Sequence, residues 1–260
     1  MQDKERTLTP QGPRIDDGTL LRLKRWNTPS VYNGWESITR QDASKEAFNL
    51  EETWDFMPEL GPMVGYAVTV VIEPSKERHK KQRPDAWSQY RRYVAHQHGP
   101  KVVVIQDKDN PGVIGSFWGE VNANIHRSLG CVGTITDGAI RDYDEMKHCG
   151  FKALARRLCV GHAHAWPISW GEPVEVFGCV IQPGQLIHAD QHGFLAIPPE
   201  DEAALLSATS TMDRHECETV IAAARSHSQS IDDRLDKIDA AARTFAERVK
   251  TECRSAGEWG

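Results

Sequence analysis

WGEVNANIHRSLGCVGTITDGAIRDYDEM, residues Trp118 to Met146, is the stretch that decides the fold. Val121, Ile125 and Leu129 recur every four residues, the spacing of one helix face, and Gly130 can close that helix. CVGTIT is rich in β-branched residues and reads as a strand, DGA reads as a turn, and DYDEMKHCG reads as a short helix. Strand and helix alternating across such short connections are the signature of an α/β layer.

The flanking chain extends this pattern. PMVGYAVTVVIEP is a strand closed by Pro74, KVVVIQD is a buried strand, and KALARRLCV is a further strand or mixed element. DDGTLLRLKRWNTPSVYNGWESI reads as one or two helices interrupted near Thr28-Pro29. From Val174 the chain alternates short β-rich runs with turn signals at Pro183-Gly184 and Gln191-His192-Gly193, which predicts a second β layer. After Pro198-Pro199 it is helical. Ile231, Leu235, Ile238, Ala242, Phe245 and Val249 form an apolar stripe that either docks on its own chain or joins subunits. The expected division is a polar leader over 1–19, an α/β body over 20–199 and a helical extension over 200–260.

Composition sets outer limits. The chain has 260 residues, 39% hydrophobic and 26% charged, which argues for a folded globular protein. A formal charge of −6 argues against a general nucleic-acid binder. No apolar run is long enough to span a membrane or to form a secretory signal core, and six cysteines without CxxC spacing suggest reduced, mostly buried thiols in a cytoplasm. The basic, aromatic stretch SKERHKKQRPDAWSQYRRYVAHQHG, 75–99, reads as a solvated loop leading into a surface helix over Asp85–His96. Contact with nucleic acid or phosphate is the other reading.

The chemistry gathers where helix and strand meet. Glu120 opens the helix, and twenty residues later Arg141-Asp142 follows the strand, so all three can reach one rim of the sheet. Gly119 clears space for a ligand, and the helix N-terminus offers free N–H groups and the positive end of a dipole. Asp142 with water and substrate oxygens suits a hard divalent cation, and Arg141 suits a carboxylate or a developing enolate. On residues alone, the commoner reading of an Arg-Asp pair after a turn is structural.

The stretch GEVNANIHRSLGCVGTITDGAIRDYDEMKHCGFKALAR, followed by PGQLIHADQHGFLAIP, resembles the RraA-like family. That family comprises regulators of ribonuclease E activity and class II 4-hydroxy-4-methyl-2-oxoglutarate / 4-carboxy-4-hydroxy-2-oxoadipate aldolases. Gly65, Ala67 and Thr69 match an early GxAxTV strand, and Pro183, Gly184, Ala189, Asp190 and Gly193 match a late turn and strand. The resemblance covers about Leu20 to Pro199. It implies an α/β/β sandwich assembling as a homotrimer or homohexamer. It also implies a pyruvate-forming lyase using Mg²⁺ or Mn²⁺ on a 4-hydroxy-2-oxo acid or on oxaloacetate. In that reading Asp142 holds the metal, Arg141 binds the keto acid and stabilises the enolate, and Gly119, Glu120, Val121 and Asn122 grip the substrate carboxylate through backbone groups. Glu120 positions a metal-bound water that takes the 4-hydroxyl proton.

The chain departs from the family pattern at several points. Glu120 replaces an aspartate, Asn33 and Gln185 each stand where an aspartate is usual, and the 75–98 segment and the helices after 200 are long. His162 and His164 have the spacing of two ligands on one strand face, against a reading as polar loop histidines, and His188 and His192 flank Asp190. A non-catalytic RraA-type protein-binding regulator, or a family enzyme with a changed substrate, is the alternative. A methyltransferase is not supported, since no glycine-rich methyl-donor loop follows a first strand.

Overall fold

The structure is a computed structural model, and it describes residues 14–45 and 47–253. Most of the expected leader, 1–13, therefore lies outside the described residues. Its last residues belong to helix α1 (Asp17–Leu23), which starts on Asp16, whose carboxylate accepts from Thr19 N at 2.9 Å. Helix α2 (Thr28–Glu36) begins likewise on Asn27, which accepts from Ser30 N, with Pro29 in its first turn. The interruption read at Thr28-Pro29 is thus a fresh helix start.

Strands β1 (Trp54–Asp55) and β2 (Met63–Ile72) lead to helices α3 (Arg78–Gln82) and α4 (Ala86–Ala95). Strand β3 (Lys101–Asp107), helix α5 (Glu120–Ser128), strand β4 (Cys131–Ile140), helix α6 (Tyr143–His148) and strand β5 (Lys152–Leu158) form the α/β core. Short strands β6 (Ser169–Trp170), β7 (Val174–Val176) and β8 (Cys179–Ile181) precede the hairpin β9 (Leu186–Asp190) and β10 (Gly193–Ile197). Helix α7 (Glu202–Glu216), a π turn over Cys217–Ile221, α8 (Ala222–Arg225) and α9 (Ile231–Glu252) complete the described chain.

The main sheet runs β1-β5-β4-β3-β2-β9-β10, with β6 alongside β2. Strands β2 to β5 are mutually parallel, and β1, β9 and β10 pair antiparallel. One face of the central strands, with Val68, Val70, Val103, Ile105 and Ala153, packs under Tyr90, Val94, Trp118, Ala123 and Met146 of the helical side. The other face, with Ala67, Val102, Val104, Ile135 and Leu154, meets Val174, Val176 and Ile181 of the β7–β8 hairpin and Ile187 and Phe194 of β9–β10. Helices, sheet and hairpin are the three layers of the α/β/β arrangement.

Several expectations change. DGA is no turn: β4 runs through it to Ile140, with its register against β5 shifting between Thr136 and Ala139. The second β layer from Val174 is only the β7–β8 pair, since β9 and β10 join the main sheet. On α5 the buried residues are Ala123 and His126, while Val121 is exposed; the helix is turned by what it packs on, not by its most apolar stripe. His126 fits there because its ring meets both the Asn122 carbonyl at 2.7 Å and Tyr90 Oη at 3.2 Å, and burial holds its pKa down to about 4. Cys131 and Cys179 are buried as expected, but the other four cysteines are partly or fully exposed.

The helices after 200 pack in cis. Leu205 of α7 shares a core with Leu20, Trp35 and Leu195, and Trp35 Nε1 donates to Asp201 at 2.9 Å. Asn33 donates to Glu216, giving that position a partner other than a family aspartate's. Phe245 and Val249 of α9 close on Met212, whereas Ile231 and Leu235, at the start of the stripe, face outward. No helix among the described residues is long and apolar enough to cross a membrane.

Candidate functional site

Parallel strands β3, β4 and β5 end on one rim, and the chain leaving β4 there delivers Arg141 and Asp142. Asp142 begins α6 in the left-handed region, at φ 52°, a costly conformation for a non-glycine residue. Its Oδ2 accepts from Glu120 N at 3.2 Å, locking the start of α5 to the start of α6. Arg141 Nε lies 3.7 Å from the same Oδ2, and Nη1 donates to Val160 O at 3.4 Å. Both side chains remain about one-third exposed, at 36% and 38%.

Gly119 permits a close approach here. A Cβ on it would stand 2.6 Å from Asp142 Oδ2 and 3.2 Å from Arg141 Nε. The missing side chain is what lets the carboxylate and the first turn of α5 close on each other. Behind the rim, Trp118 Nε1 donates to Thr134 Oγ1 at 2.9 Å and that hydroxyl donates to Val103 O, so the segment before Gly119 is tied to two strands. Asn122 uses its side-chain amide to hold Phe117 O at 2.7 Å, leaving its backbone N–H in the unpaired first turn of the helix.

These residues line a cleft of about 470 Å³. All six sequence-derived positions, Gly119, Glu120, Val121, Asn122, Arg141 and Asp142, are on its wall. The rest of its lining includes Lys80 and Trp87 from the basic segment and the run His162 to Trp166. His162 and His164 thus reach the cleft, but among the described residues no group of three or more His, Cys, Asp or Glu side chains could cage a metal. His188 does not reach it: the ring is buried against Thr28 Oγ1 at 3.0 Å, and burial lowers its pKa to about 4. Asp190 accepts from Thr28 N and His192 N, and Gln185 donates to Ala196 O, so this late motif braces strands and α2.

A second acidic feature lies just behind the rim. Asp137 of β4 accepts from Asp107 N at 2.7 Å and from Asn110 Nδ2 at 3.2 Å. Burial raises Asp107 to about 7 and Asp137 to about 6. Sequence reasoning passed over this pair, and also over Lys80, Trp87 and Trp166. The only available signal was the aromatic spacing inside the basic stretch and the His-x-His-x-Trp run.

A family model described as RraA-like, Aldolase/RraA, matches residues 28–196. Protein DlpA of Legionella pneumophila is 25% identical over 139 residues, covering 52% of this chain but only 21% of that protein. The chain therefore spans about a fifth of the length of that curated relative. An uncharacterized protein from Pseudomonas syringae superposes with a TM-score of 0.67 at 20% identity, covering 92% of this chain and 99% of the other. Streptomyces coelicolor RraAS2, described as an unusual member of the RNase ES inhibitor RraA family, gives 0.61 at 19% identity, covering 79% and 96%. At these identities the structural likeness establishes the fold alone.

Proposed function

The chain belongs to the RraA-like, Aldolase/RraA family, and from that premise we propose that it is a divalent-metal-dependent lyase releasing pyruvate from a 4-hydroxy-2-oxo acid or from oxaloacetate. The observation carrying this reading is the joint convergence of Asp142, Arg141 and the first turn of α5 across a glycine whose missing side chain lets the Asp142 carboxylate approach.

The donor set fits Mg²⁺ or Mn²⁺. Asp142 presents one carboxylate beside a cradle that a Cβ at 119 would fill, with Glu120 as the neighbouring acid, and no protein cage surrounds them among the described residues. Such cations keep several waters and take one or two carboxylates plus substrate oxygens. A bound ion would polarise the keto oxygen as a Lewis acid.

The chain's own groups do the rest. The remaining first-turn N–H groups of α5, those of Val121 and Asn122, at the positive end of its dipole, receive the substrate carboxylate. Arg141, steadied by Val160 O, donates to the keto oxygen and to the charge that accumulates there. Glu120 orients the water that takes the 4-hydroxyl proton. The C3–C4 bond then breaks, its electron pair stays on the three-carbon fragment, and protonation at C3 gives pyruvate. The leaving portion departs as a carbonyl compound, or as CO₂ from oxaloacetate. The active species is a homotrimer or homohexamer, checked by sedimentation velocity.

The test is pyruvate release from 4-hydroxy-4-methyl-2-oxoglutarate and from oxaloacetate, with Mg²⁺ or Mn²⁺ and with EDTA. Metal-dependent release lost in Asp142→Ala supports the lyase. Absence of turnover on both compounds would sink it, and a protein-binding regulator or an altered substrate would replace it.

A further inference from the structure

The cleft has a second wall that the lyase chemistry does not use. Trp166 Nε1 donates to Arg83 O at 3.0 Å, and Arg83 Nη1 donates back to Ile168 O at 3.0 Å. Trp87 stacks on Phe117 at 4.8 Å and meets Trp166 edge-on at 6.0 Å. The backbone of the histidine run is anchored too: Ser116 N donates to Gly161 O, and His164 N to Pro74 O, both at 3.1 Å. This wall is built, and its indole faces are largely spoken for, since Trp87 also carries Arg91 at 5.0 Å.

What it leaves available is an ammonium. Helix α3 holds four basic side chains. Arg78 and His79 both pair with Glu73, and Lys81 pairs with Glu77. Lys80 makes no salt bridge at contact distance among the described residues, although Glu77 feels its charge; its Nζ sits 5.8 Å from the Trp166 ring and lines the same cleft as Asp142. The charges facing the cleft are then Lys80 and Arg141 against Glu120 and Asp142, which cancel. A divalent cation leaves two positive charges to be met. A 2-oxo acid with one carboxylate meets half of that; one with a second anionic group meets all of it.

Resting on the lyase reading, we propose that Lys80 is a specificity-determining residue that binds a second anionic group on the tail of the substrate. The head of the substrate is held at Arg141 and Asp142, and the tail extends across the cleft to α3. Recognition by a flexible ammonium suits a tail of variable geometry, where a guanidinium fork would demand a fixed one.

Equilibrium binding separates this from the lyase itself. Calorimetric titration in Mg²⁺ compares 2-oxoglutarate with 2-oxopentanoate, five-carbon 2-oxo acids that differ in the second carboxylate and lack the cleavable 4-hydroxyl. The wild type is expected to bind 2-oxoglutarate about tenfold more tightly, the worth of one charge-assisted contact. Lys80→Ala abolishes that preference, Lys80→Arg retains it, and 2-oxopentanoate binding is unchanged in both. Asp142→Ala weakens both ligands. Equal affinity of the wild type for the two, or a preference surviving in Lys80→Ala, overturns the assignment of Lys80 while leaving the lyase standing. Failure of the wild type to bind either ligand overturns the 2-oxo acid reading and the Lys80 assignment with it.

Discussion

Two acid–base pairs occupy opposite ends of the same parallel strands. At the start of β5, Lys152 Nζ meets Asp55 Oδ2 at 2.5 Å and Met57 O at 2.9 Å, and both side chains are only 3% exposed. Beyond the end of β4, Arg141 and Asp142 are 3.7 Å apart and one-third exposed. The first pair spends its charge on holding β1 and the following turn to β5. The second is a loose pair whose groups still have capacity, and its carboxylate is placed by a backbone N–H. Burial and residual hydrogen-bonding capacity, not the presence of a charged pair, distinguish a brace from a site.

That distinction can be broken most directly at the brace. Lys152→Met leaves Asp55 buried without its cation and should cost about 3–5 kcal/mol by chemical denaturation, with little change in activity per folded molecule. A loss under 1 kcal/mol would mean the pair is not a brace. At the rim the expectation is reversed: Asp142→Ala should lower kcat/KM on the order of 10²-fold or more while stability falls by only about 1 kcal/mol, from the lost helix-start contact and the left-handed backbone. Gly119→Ala comes next. The added carbon must displace the Asp142 carboxylate or the start of α5, and about 10²-fold in kcat/KM is expected from misplacement alone. Wild-type kinetics in that variant would show that the close approach is incidental.

The smallest effect concerns the buried acids behind the rim. Because Asp107 titrates near 7 and Asp137 near 6 in the folded chain, against an ordinary 3.8, the native state holds protons that the unfolded state has released. The contribution of these two acids to stability is therefore greatest in acid and falls as pH rises from about 4 through about 7. Asp107→Asn, which keeps the acceptor for Asp109 N, should raise the melting temperature by a few degrees at pH 8 and leave it nearly unchanged at pH 4. A gain equal at both pH values would point to packing, not charge.

The sequence made the strands and helix starts legible because local signals and burial agree there: β2 and β3 are nearly continuous apolar runs, and α1 and α2 begin on side-chain caps. It also placed Glu120, Arg141 and Asp142 on one rim, since strand polarity alone brings helix start and strand end together. It misread DGA, which β4 carries as an irregularity between Thr136 and Ala139 before its pairing with β5 resumes, and the face of α5, where aromatic packing around His126 outweighs the apolar stripe. The second wall was invisible for a different reason. Arg83 and Trp166 are far apart along the chain, and the contact that joins them runs through a backbone carbonyl, which carries no residue identity.

That last contact has a consequence for how such a molecule can change over generations. Arg83 and Trp166 hold each other, and neither lies on the strands that fix Arg141 and Asp142. Drift in the exposed 76–82 stretch can therefore be absorbed without disturbing the rim, whereas Tyr90 and Val94 of α4 are held by the core. The two walls are separable inheritances: one is constrained by the close approach at Gly119, and the outer part of the other is free to be rewritten for a new tail.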